Sequence, residues 1–282
     1  MPDELFVRLQ YWCWHGGALR LDPPVDFNEK IQWQKLNYRN PELSVCADKY
    51  EVRAFVRARV GDAYLCPLVG VFDTVDAIDI GQLPEAFALK ATRASSWNIV
   101  CRDKFRLNWS ATKKELKRWL EKDFFEYGRE WQYRGGVRRI ICEQYVDGIA
   151  EGSAVEYKLY TFRGETKYIW VDHIVAEGVG KERHYRNIYD AEWKFQADKT
   201  VTLPNNPGLV MERPAVLDEL SRLAYELAKD FPQCRVDFYV TKSGRVLFGE
   251  MTFTSQGGCG IFSPKSFGEE MGSYIDLGDS YK

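Results

Sequence analysis

The chain has 282 residues, of which 45% are hydrophobic and 28% charged, a balance that excludes wholesale disorder. Its 39 lysines and arginines against 41 aspartates and glutamates give a net charge of −2. This argues against nucleic acid as a partner, because phosphate binding needs a basic excess. No apolar run approaches the roughly 18 residues of a membrane span, and the N-terminus lacks the basic and apolar stretches of a secretory signal.

The N-terminal part is predicted to contain a single capped helix after an irregular start. Residues 1–26 are interrupted by paired glycines and prolines and are expected to be irregular. Asp26 followed by Glu29 is typical of a capping box, in which each side chain accepts a backbone N–H of the other residue. The helix that begins there is expected to end at Asn40-Pro41.

A second helix is predicted from about residue 48 to residue 60. Its apolar residues fall on one stripe, and Gly61 stands at the position that usually ends a helix. The other face carries Arg53, Arg57 and Arg59 and is expected to be solvated.

The rest of the chain is predicted to be antiparallel sheet with packed helices, an α+β fold, because short apolar runs are joined by tight turns. Two amphipathic helices are predicted at 110–127 and 214–229. Strands are predicted at 68–72, 87–91, 97–101, 138–146, 155–162, 166–171, 234–240 and 245–250.

The last predicted hairpin places two carboxylates on one face. With a four-residue loop at 241–244, alternation puts Arg235, Asp237, Glu250 and Thr252 on the same side. In this register Asp237 is opposite residue 248, so Asp237 and Glu250 are diagonal neighbours about 7–8 Å apart. Two such carboxylates can hold Mg²⁺, which prefers oxygen ligands. The alternative is a surface hairpin with a cross-strand salt bridge.

Two further segments carry weaker signals for nucleotide binding. Lys90 ends a strand and precedes a turn of small residues, where an ammonium and backbone N–H groups can bind phosphate; a solvated edge lysine is the alternative. The strand that contains Glu143 ends at Val146, and its last backbone groups can bind an adenine edge. An ordinary buried strand explains that pattern as well.

Cysteine and histidine usage indicates a reducing compartment. The seven cysteines are scattered without a C-x-x-C pair, and the three histidines are dispersed. Reduced, packed thiols and a cytoplasmic location are expected, and neither a zinc site nor a cysteine nucleophile is predicted.

Taken in order, these segments resemble the ATP-grasp superfamily, and more closely its TupA-like branch, named for teichuronopeptide biosynthesis. The hairpin spacing is similar to the metal hairpin of D-alanyl-D-alanine ligases. Five ordered segments within about residues 27 to 262 carry the resemblance: FNEKIQW at 27–33, ADKYEVR at 47–53, YK at 157–158, RNIYD at 186–190 and FGEMTF at 248–253.

The resemblance implies an ATP-grasp fold, in which two α+β lobes with antiparallel sheets clasp a nucleotide. It implies an abridged N-terminal region at 1–86, a small lid lobe at 87–147, and a large lobe with the metal hairpin at 148–282. The cofactors implied are ATP and Mg²⁺.

The resemblance also implies roles for individual residues. Lys49 and Lys90 match the phosphate-binding lysines, with Ser95 and Ser96 in the loop that follows. Glu143 matches the acid near the adenine amino group, and Tyr145 and Val146 match the adenine-binding backbone. Glu156, with Glu151 as competitor, matches the ribose-binding acid. Asp237, Glu250 and Thr252 fall at the metal-ligand positions. Arg235, Lys158 and Arg186 match the catalytic cations that face the transferred phosphate or an acidic substrate.

The implied reaction is ATP-dependent ligation of a carboxylate to an amine through an acyl phosphate. The expected partners are a uronic acid on a cell-surface polysaccharide precursor and an amino acid or small amine. The alternatives are a kinase of a sugar hydroxyl and a non-catalytic nucleotide- or carbohydrate-binding module.

Two departures from the family pattern stand out. Thr252 replaces the usual asparagine ligand. The lid loop, which is usually glycine-rich with a histidine, is RASSW at 93–97, where Arg93 is the candidate to replace the histidine as a charge partner.

Overall fold

The computed structural model describes residues 1–146, 154–176 and 181–278. The chain divides into two compact units. Unit 1 combines Met1–Arg39 with Val155–Lys282, and unit 2 is Asn40–Ala154. In the described ranges, no helix is both long and apolar enough to cross a membrane.

Both units combine helices with antiparallel strands, which confirms the predicted α+β class. The helices are α1 Asp3–His15, α2 Phe27–Asn37, α3 Glu42–Ala47, α4 Val52–Val60, α5 Trp109–Glu121, α6 Phe125–Gly128, α7 Leu217–Ala228 and α8 Lys265–Ser273. The strands are β1 Leu68–Phe72, β2 Phe87–Ala91, β3 Asn98–Cys101, β4 Ile140–Gln144, β5 Val155–Phe162, β6 Glu165–Ala176, β7 Glu182–Asp190, β8 Thr200–Val201, β9 Cys234–Val240, β10 Val246–Thr252 and β11 Phe262–Ser263.

Unit 1 is built on a five-stranded antiparallel sheet in the order β10-β9-β5-β6-β7. The amphipathic helix α7 packs against β5, β6 and β9 and buries its leucines. A separate apolar cluster joins Tyr160 and Trp170 of the sheet to α2 and α8, through residues such as Phe27 and Phe267. Because side chains alternate along a strand, the residues two positions from Tyr160 and Trp170 share their face. That face therefore continues from an apolar cluster into Lys158 and Asp172.

Unit 2 is built on a four-stranded antiparallel sheet in the order β1-β4-β2-β3. One face packs against α5, where Leu89 and Cys142 join a cluster with Leu116. The alternation of side chains then places Lys90 and Glu143 on the other face of β2 and β4.

The register of the β9–β10 hairpin differs from the predicted one. Phe238 is opposite Phe248, whereas Asp237 is directly opposite Glu250. The loop is one residue longer than predicted, with Thr241 N bonded to Arg245 O, and a bulge follows at Gly249. A Cβ at Gly249 would lie 3.0 Å from the Asp237 carbonyl oxygen. A side chain at position 249 would therefore be crowded against the partner strand. The longer loop and the bulge each shift the register by one residue, and together they make the two carboxylates direct rather than diagonal neighbours.

The prediction that residues 1–26 are irregular is wrong, because α1 occupies Asp3–His15 and ends at Gly16, which has a φ of +67°. The predicted capping box is confirmed: the Asp26 side chain accepts from Glu29 N and the Glu29 side chain from Asp26 N. The helix that it begins, α2, ends at Asn37, before the proline.

Several other helix and strand boundaries differ from the predicted ones. The second predicted helix begins at Val52 rather than near residue 48, because the Asp48 carboxylate accepts from the N–H groups of Tyr50 and Glu51 ahead of it. The predicted helix at 110–127 is divided into α5 and α6, since Lys122 is extended. Strand β7, which pairs along β6, was not predicted.

The boundaries of the two units differ from those of the three predicted regions, 1–86, 87–147 and 148–282. Strand β1 lies in the predicted N-terminal region, yet it pairs with β4 of unit 2. Residues 1–39, which were predicted to belong to that same region, group with unit 1. The division into functional lobes stays a prediction.

Candidate functional site

Charged side chains from five strands meet on one face of the unit 1 sheet. The cluster contains Glu156, Lys158, Asp172, Arg186, Arg235, Asp237 and Glu250, with Thr252 beside Glu250. The pairing explains this convergence, because Asp237 lies opposite both Lys158 and Glu250. All of the predicted metal ligands and catalytic cations therefore belong to one cluster.

Arg235 links the two carboxylates of the hairpin. Its Nε lies 2.7 Å from Asp237 Oδ1, and one terminal nitrogen lies 2.6 Å from Asp237 Oδ2 and 2.8 Å from Glu250 Oε1. Asp237 is 1% exposed, whereas Glu250 is 36% exposed at its side chain. The hydroxyl of Thr252 donates to Glu250 Oε1 at 2.9 Å. One cationic group thus already lies against both carboxylates.

Lys158 lies among three carboxylates of the cluster. Its ammonium contacts Glu156 and lies 3.9 Å from Asp237 Oδ2 and 4.0 Å from Asp172 Oδ2. Burial lowers the pKa of Lys158, but Asp237 and Glu156 raise it, and the net pKa is raised. The ammonium therefore stays charged in a mostly buried place.

Arg186 forms the outer edge of the cluster with Asp172, a residue that the sequence analysis missed. Two nitrogens of Arg186 donate to the two Asp172 carboxylate oxygens at 2.6 and 2.8 Å. The guanidinium also lies over the Trp170 ring, 4.9 Å from its centroid. Burial raises the pKa of Asp172, whereas the hydrogen bonds and the charge of Arg186 lower it. The net result is a pKa below the ordinary value of an aspartate. Asp172 lies on β6 and Arg186 on β7. Because β7 was not predicted, the pairing of these two residues could not be predicted either.

The oxygen donors of the hairpin fit a hard divalent cation. Asp237, Glu250 and Thr252 offer two carboxylates and a hydroxyl on one face, which is the ligand chemistry that magnesium prefers. Burial raises the pKa of Asp237 to about 6, while Arg235 and Lys158 act in the opposite direction, and another nearby cation would favour the charged carboxylate. Within the described ranges, no group of three or more His, Cys, Asp and Glu side chains converges as a metal site, so the fit rests on this pair and the hydroxyl.

In unit 2 the structure brings Lys90 and Glu143 together. Lys90 Nζ lies 2.6 Å from Glu143 Oε2, and Arg53 binds the other carboxylate oxygen at 3.0 Å. Ala88 is opposite Glu143 and Lys90 opposite Ile141, so the two charged residues are near neighbours on one face. The prediction that the Arg53 side of α4 is solvated is wrong for Arg53, whose side chain is 11% exposed.

Lys49 lies against the turn that follows β2. Its backbone N–H donates to Thr92 O at 2.9 Å, and its ammonium donates to the Ala94 carbonyl. Ser95 and Ser96 are exposed in this same turn. Lys49, the two serines and the end of β2 are therefore grouped around one turn, and their binding of phosphate stays a prediction.

Of the residues predicted to contact adenine and ribose, the structure describes all but one. Tyr145 and Val146 follow β4 and are partly exposed. Glu156 lies on β5 in the charged cluster of unit 1, against Lys158. Glu151, the competing candidate, lies outside the described residues.

Arg93 lies in the turn after β2 and is mostly buried, and its replacement of the lid histidine as a charge partner stays a prediction. Its side chain is 9% exposed, donates to Gln132 O at 2.7 Å and lies 3.7 Å from Asp48 Oδ2. These contacts hold the start of the turn to other parts of unit 2.

Comparison with known proteins gives the family. A family model described as TupA-like ATPgrasp matches residues 29–276, and no curated protein matches the chain. The chain therefore has the ATP-grasp fold. It belongs to the TupA-like ATP-grasp family, which confirms the resemblance seen in the sequence.

Several solved structures are similar to the chain at low identity. The ATP-grasp ligase PsnB with a minimal precursor is 12% identical, with 80% of this chain and 60% of that chain covered and a TM-score of 0.41. D-alanine–D-alanine ligase from Bacillus anthracis is 18% identical (83% and 67% covered, TM-score 0.48). L-amino acid ligase from Bacillus licheniformis is 14% identical (82% and 49% covered, TM-score 0.48). The chain thus spans about half to two thirds of the length of these proteins.

Proposed function

We propose that this chain is an ATP-dependent ligase that joins a carboxylate to an amine through an acyl phosphate. The observation that carries the proposal is the contact of Arg235 with both Asp237 and Glu250, beside Lys158, on one sheet face. Such a cluster can balance the charge of a phosphoryl group and of a substrate carboxylate at the same place.

The nucleotide is proposed to be bound by the residues of unit 2. The ammonium groups of Lys49 and Lys90 would bind phosphate oxygens, with Ser95 and Ser96 in the turn beside Lys49. Glu143 and the backbone of Tyr145 and Val146 would bind the adenine. In unit 1, Glu156 is the proposed ribose ligand.

Asp237, Glu250 and Thr252 would hold Mg²⁺ through their oxygens. When bound, the ion neutralises phosphate charge during phosphoryl transfer. Because Arg235 already contacts the same two carboxylates, their charge is shared between a guanidinium and the ion.

In the proposed reaction, a substrate carboxylate oxygen attacks the γ-phosphorus and the bond to the ADP oxygen breaks. The amine then attacks the acyl carbon, inorganic phosphate leaves with the former carboxylate oxygen, and the amine loses a proton. Arg235, Lys158 and Arg186 are the proposed cations around the reacting groups; Arg235 would stabilise the tetrahedral oxyanion. None of these steps needs a protein nucleophile.

The substrate class is proposed from the TupA-like family membership. A uronic acid of a cell-surface polysaccharide precursor would supply the carboxylate, and an amino acid or small amine the nitrogen. The charged cluster contains three cations and four carboxylates, so an acidic acceptor would bind there together with the positive charge of Mg²⁺.

The test is to incubate the protein with ATP, magnesium, an ¹⁸O-labelled uronic acid and mixed amines. The ligase is expected to produce ADP, an amide and inorganic phosphate that carries one ¹⁸O from the carboxylate. A stable phosphosugar without amide would instead indicate a sugar kinase, and no consumption of ATP with bound nucleotide or glycan would indicate a binding module. Either of these results contradicts the proposal.

The variant Lys90→Ala is expected to weaken ATP binding about 10- to 100-fold, because a charged hydrogen bond contributes roughly 1.5–3 kcal/mol. Isothermal titration calorimetry with Mg·ATP measures the affinity. Lys117→Ala is the matched control, since Lys117 lies on α5 and is 52% exposed in an ion pair with Asp76. Equal affinities of the Lys90 variant and the wild type would remove Lys90 from the nucleotide site.

A further inference from the structure

Arg53 is a partly buried arginine of α4 to which the proposed function gives no role. One terminal nitrogen donates to Glu143 Oε1 at 3.0 Å, and the other donates to the Cys66 carbonyl oxygen at 2.8 Å. The side chains of Arg53 and Glu143 are 11% and 9% exposed. A guanidinium held in this way by two acceptors has a fixed position.

Both acceptors of Arg53 lead to proposed nucleotide contacts. Glu143 binds Lys90 through its other carboxylate oxygen, at 2.6 Å. Cys66 and Pro67 are bonded to the end of β4: Gln144 N donates to Pro67 O at 2.9 Å, and the Cys66 thiol donates to Gln144 O at 3.3 Å. Gln144 directly precedes the proposed adenine-binding backbone of Tyr145 and Val146. The guanidinium of Arg53 therefore contacts two groups: the carboxylate that binds Lys90, and the 66–67 segment that is bonded to the end of β4.

We propose that Arg53 is a positioning residue for ATP, which acts through Glu143 on Lys90 and through the 66–67 segment on the backbone at 144–146. The inference rests on the proposed function, in which Lys90 and the 145–146 backbone bind the nucleotide. With Arg53 present, each oxygen of Glu143 has its own cation. Without Arg53, the buried carboxylate has Lys90 as its remaining counter-charge among these three residues, and draws the ammonium away from a phosphate.

The expected result is a loss of ATP affinity. Arg53→Gln is expected to weaken Mg·ATP binding, measured by calorimetry, about 10-fold, because the charge-assisted contacts that position Glu143 and the 66–67 segment are lost. Arg53→Lys keeps the charge but reaches fewer acceptors, and its loss is expected to be about threefold. The matched control is Arg57→Gln, one helical turn further along α4, where Arg57 pairs with exposed Asp62; its affinity is expected to equal that of the wild type. If Arg53→Gln does not fold, the ATP affinity of Arg53→Lys tests the inference instead.

A double-mutant cycle with Glu143→Gln separates positioning from a merely structural role. If Arg53 acts on Lys90 through Glu143, its removal in the Glu143→Gln background changes the affinity less than it does in the wild type. Losses that multiply in the double variant would overturn the inference, as would an affinity of Arg53→Gln and Arg53→Lys equal to that of the wild type. If the wild type itself binds no ATP, the proposed function fails as well, so the two failures are distinguishable.

Discussion

Replacing Glu250 with glutamine is expected to reduce ADP formation about 10²–10³-fold, because loss of a proposed metal ligand removes several kcal/mol of transition-state stabilisation. Glutamine keeps the length of the side chain and an oxygen that can accept from Thr252 and Arg235, but it lacks the negative charge. The side chain is 36% exposed, so the fold is expected to tolerate the change. A coupled assay of ADP release at saturating Mg·ATP measures the effect.

The matched control for Glu250 is Glu165→Gln. Glu165 also lies in the unit 1 sheet and is paired with a lysine at 2.8 Å, but it is exposed and outside the charged cluster. Its turnover is expected to equal that of the wild type. Retained turnover in the Glu250 variant would remove Glu250 from the proposed site.

Replacing Arg235 with methionine is expected to lower the free energy of unfolding by about 3–5 kcal/mol, because removal of one partner leaves the other charge buried and poorly compensated. Asp237 is 1% exposed and accepts two hydrogen bonds from Arg235. Lys158, 3.9 Å from Asp237, would be the nearest described cation left. Urea denaturation at neutral pH measures the change, and ligation activity is expected to be lost with it.

Arg213→Met controls for the loss of an arginine at the surface. Arg213 pairs with Asp218, and their side chains are 48% and 85% exposed. Such a pair contributes at most about 1 kcal/mol, so a small change is expected. An Arg235 variant as stable as the Arg213 variant would show that the cluster does not depend on its central arginine.

The sequence predicted the faces of the β9–β10 hairpin but not its register. Strict alternation was enough to place Asp237 and Glu250 on the same side, and the structure has them there. The bulge at Gly249 could not be foreseen, because it depends on the approach of Gly249 to the Asp237 backbone across the hairpin. One extra residue in the loop and one in the bulge together changed diagonal neighbours into direct ones.

Helix α1 and strand β7 were not predicted, because their sequences have no clear alternation or stripe of apolar residues. Helix α1 exposes Leu5, Leu9 and Trp12 while it buries Val7 and Tyr11, so it shows no clean apolar stripe. The first half of β7 is exposed and charged, and its pairing with β6 is a long-range property. A strand of this kind is defined by its partner more than by its own residues.

The missed members of the candidate site are the partners of predicted residues. Asp172 lies just beyond the predicted strand at 166–171, and Arg53 lies in the 47–53 motif but was expected on a solvated face. The structure pairs each of them with a charged residue that the resemblance had singled out. Burial of a charged group requires a partner, and that partner is fixed by tertiary structure rather than by local sequence. The resemblance therefore implied roles for Glu143 and Arg186 but not for the residues that they contact.

The central claim, that Asp237 and Glu250 hold a divalent cation with the nucleotide, is tested most directly with Mn²⁺ in place of Mg²⁺. Electron paramagnetic resonance measures free Mn²⁺ during titration of the protein with a non-hydrolysable ATP analogue. Wild type and Glu165→Gln are expected to bind Mn²⁺ equally, and Glu250→Gln at least about tenfold more weakly. Equal Mn²⁺ binding by Glu250→Gln and wild type would contradict the account.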